Sequence, residues 1–92
     1  MHETGIVKNM IRRLEALAQE AGAERISRVQ VQLGALSQFS PEHFREHFDD
    51  EAAGTLAEGA ALVITVSEDP GDPHAQDVMV QNVDLEIEDP RG

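Results

Sequence analysis

A chain of ninety-two residues is the size of one small domain. Its eighteen acidic side chains against seven basic ones give a net charge of −11, which repels a phosphate backbone or an anionic membrane face. No cysteine is present, so disulfides and thiolate-ligated zinc are excluded from these residues.

The first element is an amphipathic helix over residues 3–21. Ile6, Val7, Met10, Ile11, Leu14, Leu17, Ala18 and Ala21 recur at helical spacing, charged and amide side chains fill the opposite face, and Gly22 stands where such a helix stops. Strict alternation follows, with Val29, Val31 and Leu33 on one face and Arg28, Gln30 and Gln32 on the other. That is a half-buried strand, with Ile26 packing at its start and Gly34 at its exit. Ser40-Pro41 predicts a second helix: the Ser hydroxyl can accept from a first-turn N–H, and Pro suits the first helical position. Phe39 can staple onto Phe44, after which Phe44, Phe48 and Ala52 face the core and Gly54 ends the element.

Leu62, Ile64 and Val66 alternate with Val63 and Thr65 as a second strand. A Pro- and Asp-rich loop spans residues 67–77, and a third strand spans 78–87. The apolar face of that last strand changes phase between Val80 and Val83, which predicts a β-bulge near Gln81-Asn82. The sequence therefore specifies one α+β domain over residues 1–92, with two helices packed on one face of a small three-stranded sheet in the order helix-strand-helix-strand-strand. The longest apolar run, Ala60 to Ile64, is far too short to span a membrane. Lys8, Asn9, Arg12 and Arg13 interrupt any leader-like stretch, so the expected location is cytoplasmic, with neither nucleic acid nor membrane as partner.

Three places carry candidate chemistry. Met1-His2-Glu3 offers a terminal amine, the His2 amide and the His2 imidazole to one ion, with the Glu3 amide or carboxylate as a fourth donor; planar nitrogen-rich coordination of this kind suits Ni(II) or Cu(II). His43-Phe44-Arg45-Glu46-His47 matches the H-x-x-E-H pattern of a zinc peptidase, in which two His one helical turn apart share a metal. A peptidase also needs a third ligand and a substrate cleft, and two boundary histidines beside the Phe44/Phe48 stripe are the plainer reading. His74 shares its loop with Asp72 and Asp77, either as a cation site or as solvated side chains. No nucleophile elbow, phosphate loop or nucleotide fingerprint occurs, so the chain is not expected to be an enzyme.

Met1-His2-Glu3 followed by Ile6-Val7 resembles the opening of the HypA/HybF family of nickel metallochaperones for hydrogenase maturation. The likeness continues through Val29-Gln30-Val31-Gln32-Leu33-Gly34-Ala35-Leu36-Ser37, Pro41-Glu42, the run from Gly54 to Ala60, Leu62 and Ile64, and the strand from Val78 to Glu88. The resemblance implies a nickel site formed by Met1, His2 and Glu3, delivery of Ni(II) to a hydrogenase large subunit, and help from a nickel-handling GTPase. It also marks a departure: the family carries a zinc-binding insert with two CxxC pairs where this chain has only the short loop 67–77. A metal-free module that binds a hydrogenase subunit or maturation factor is the alternative. Two open sheet edges, with 67–77 as a hinge, would allow a homodimer by strand exchange.

Overall fold

The computed structural model describes residues 3–87, the side chains of residues 3 and 4 excepted. Helix α1 runs Glu3–Glu20, strand β1 Arg25–Leu33, helix α2 Pro41–Ala52, strand β2 Ala61–Val66 and strand β3 Val78–Glu86. Val7, Met10, Ile11, Leu14 and Ala18 form the buried stripe of α1. Ile6 and Leu17, expected on that stripe, stand on its flank and remain 44% and 49% exposed, because helical periodicity defines a wide apolar arc but not how much of it the sheet covers. The helix closes in a Schellman turn. Gly22 takes φ of 73°, its N–H donates to the Gln19 carbonyl, and the Ala23 N–H donates to that of Ala18.

Helix α2 begins as its sequence dictates. Ser40 is extended, its Oγ accepts from the His43 N–H at 3.1 Å, and Pro41 occupies the first turn. The rings of Phe39 and Phe44 meet edge to face at 5.2 Å, completing the staple. Phe44, Phe48 and Ala52 are buried between α2 and the sheet. Burying each Phe contributes about 1.5–3 kcal/mol by transfer of apolar surface.

β1 is the central strand in the order β2-β1-β3, parallel to β2 and antiparallel to β3. The parallel pair needs a crossover, and α2 lies within it. The connection leaving α2 is pinned to the rest of the fold: the Leu56 N–H donates to the Glu15 carboxylate of α1, and the Leu56 carbonyl accepts from Ile26. The β1–β3 ladder holds the expected bulge, since Gln30 pairs with Asn82 and Val31 with Val80, leaving Gln81 unpaired. It also holds a second irregularity that alternation did not reveal. Ile26 pairs with Leu85 and Arg28 with Asp84, so Ser27 is the extra residue, which lets both Ile26 and Val29 face the core three positions apart.

The loop 67–77 is tied to the exit of β1. Ser67 N–H donates to the Leu33 carbonyl, Gly34 N–H to that of Asp77, and Leu36 N–H to that of Ala75. Ala75 is buried, and a Cβ on Gly34 would lie well inside contact distance of the Ala75 carbonyl oxygen. Gly34 is thus required by space, not merely by the end of a strand. On the β3 side the cover is thin: Met79 and Val80 are exposed, and an apolar groove bounded by Ile6, Leu14, Leu17, Val80 and Val83 runs between α1 and β3.

Candidate metal centre

Helix spacing brings two imidazoles together on α2. His43 sits in the first turn, where the Ser40 cap fixes its backbone, and His47 follows one turn later on the same flank. Their Nε2 atoms lie 3.0 Å apart, a distance at which one Nε2–H donates to the other's lone pair. The rings are 4.6 Å apart, and each centroid stands 6.1 Å from that of Phe39, whose buried ring forms their floor. His43 is exposed and His47 half-buried, so the pair faces solvent across an apolar base. Ile6 and Phe39 border one groove, which sets the pair at the end of the molecule where α1 begins.

The other candidate residues fare differently. Met1 and His2 lie outside the described residues, and of Glu3 the structure describes only its place at the head of α1. In the loop, the His74 N–H donates to Asp72 Oδ1 at 2.8 Å, and His74 Nδ1 lies 3.0 Å from Asp77 Oδ2. These contacts are a turn and an exposed side-chain hydrogen bond, and they give both Asp side chains a partner within the loop. Among the described residues no group of three or more His, Cys, Asp or Glu is arranged to hold a metal ion, so the H-x-x-E-H pattern gains no third ligand there. The role of Phe39 as a platform was not visible in the spacing. The signal for it was the staple itself, which places Phe39 beside the first turn of α2.

A two-layer α+β fold with a pair of facing imidazoles on α2 defines a small domain with a candidate metal-binding pair. A family model described as "Hydrogenase/urease nickel incorporation, metallochaperone, hypA" matches residues 1–71, and the chain belongs to this family. The hydrogenase maturation factor HypA of Chlorobium limicola is 45% identical over 64 residues, covering 70% of this chain and 55% of that protein. HypA of Archaeoglobus fulgidus is 36% identical over 66 residues, covering 72% and 60%. The chain thus spans somewhat more than half the length of these curated relatives. The solution structure of the nickel metallochaperone HypA from Helicobacter pylori superposes with a TM-score of 0.81 at 19% identity, covering 96% of this chain and 100% of that chain, and so shares the fold.

Proposed function

We propose that this chain binds Ni(II) and delivers it during maturation of nickel–iron hydrogenase, acting as a carrier and not as a catalyst. In this reading the Met1 amine, the His2 amide and imidazole, and Glu3 grip the ion, which passes to a hydrogenase large subunit with the help of a nickel-handling GTPase. The observation that carries the reading is the family match, which begins at Met1 and so includes all three proposed donors. A shallow, planar site of exchangeable nitrogen donors suits cargo that must be released. The loop 67–77 stands, on this view, in place of the zinc-binding insert. Support for that comes from β3, which returns to pair with β1 of the same chain after the loop. Ni(II) titrated into the chain with its own untagged start is expected to bind, and His2→Ala to weaken it by about 100-fold as the linked donors are lost. Equal binding by both proteins would sink the proposal.

The groove between α1 and β3 favours a second reading, a metal-free module that docks a hydrogenase subunit or maturation factor there. Capture of a hydrogenase large subunit that is indifferent to chelator and to His2→Ala, but lost on Leu17→Glu, would select it.

A further inference from the structure

We infer that His43 and His47 form a chelating site for a divalent transition-metal ion, with a geometry that takes Ni(II) or Cu(II) ahead of Zn(II). Metal–imidazole bonds of about 2.1 Å that meet at a right angle hold their nitrogens about 3.0 Å apart, whereas a tetrahedral angle needs about 3.4 Å. The two Nε2 atoms stand 3.0 Å apart, so their spacing already matches that of two neighbouring ligands on a planar or octahedral ion. Phe39 supplies the preorganisation, because a buried ring under both imidazoles limits their rotation.

The ion enters by replacing the hydrogen bond between the rings. The donating ring re-forms as its Nδ1–H tautomer through solvent, which leaves two neutral imidazoles with both Nε2 lone pairs aimed at the metal. Glu42, Glu46, Asp49, Asp50 and Glu51 on the same helix, against Arg45 alone, raise the local concentration of cations. The pair itself supplies two donors, and a grip of two imidazoles releases its ion more readily than a closed four-ligand site. Ni(II) binding stands on the pair's own geometry. A role as a loading station beside the chain's start rests on the delivery reading above.

The test is a set of Ni(II) and Zn(II) titrations on the untagged full chain, comparing wild type, His2→Ala, His43→Gln/His47→Gln and the triple variant. Shifts and broadening of the His43 and His47 ring resonances on adding Ni(II) would be followed by NMR. In the His2→Ala background, Ni(II) is expected to bind and to shift or broaden the resonances of both rings, and the added double change to weaken it by about 100-fold. Glutamine retains helix propensity at both positions, and an unchanged far-UV spectrum confirms that α2 persists. Ni(II) binding that the double change leaves untouched, or ring resonances that neither shift nor broaden, overturns the inference while leaving the delivery reading intact. Binding lost with the double change but not with His2→Ala upholds it and removes the terminal grip instead. Zn(II) ahead of Ni(II) at the pair overturns the right-angle assignment.

Discussion

The two sides of the central strand are built by different means. On the β2 side, a parallel pair is sealed by α2, with Phe44 and Phe48 almost wholly removed from water. On the β3 side, a long antiparallel ladder joins β1 to a strand whose apolar residues are only partly covered, and Val80 keeps 39% of its surface exposed. One half is held by packing, the other chiefly by backbone pairing. The difference teaches where stability resides, and also which face has room for another molecule.

Substitutions can break this contrast in graded fashion, each read as a urea unfolding midpoint with unchanged slope. Phe44→Ala empties the sealed half and should cost about 3–5 kcal/mol. Gly34→Ala forces the β1 exit away from the Ala75 carbonyl, at about 1–3 kcal/mol, and should loosen the loop 67–77 as well. Ser40→Ala leaves the His43 N–H without its acceptor and should cost about 1 kcal/mol. Val80→Thr, on the open half, should stay within about 0.5 kcal/mol of wild type. A large loss there would mean that β3 is held by burial after all, and the contrast would fail.

Both helices were legible because their signals are local. The Ser40-Pro41 start and the Gly22 stop each depend on a few adjacent residues, and a phase change in β3 is enough to reveal an unpaired Gln81. Ser27 was hidden because the alternation resumes cleanly at Arg28, so the irregularity shows only once β3 is laid against β1. The exposure of Ile6 and Leu17 depends on how far the sheet extends beneath α1, which periodicity does not encode. Of the site, the one-turn spacing of His43 and His47 could be read directly. Their 3.0 Å approach and their common floor on Phe39 are products of tertiary packing. Met1 and His2 enter through resemblance and family membership, and Glu3 only as the head of α1.

The loop 67–77 leaves and rejoins the body at adjacent residues, Leu33 and Gly34, while its tip at Pro70 and Gly71 is exposed. Tips of this kind accept spliced sequence with little disturbance to the frame beneath. A purification handle or fluorophore is therefore best carried there. Labelling at that position leaves the residues of the proposed nickel grip untouched.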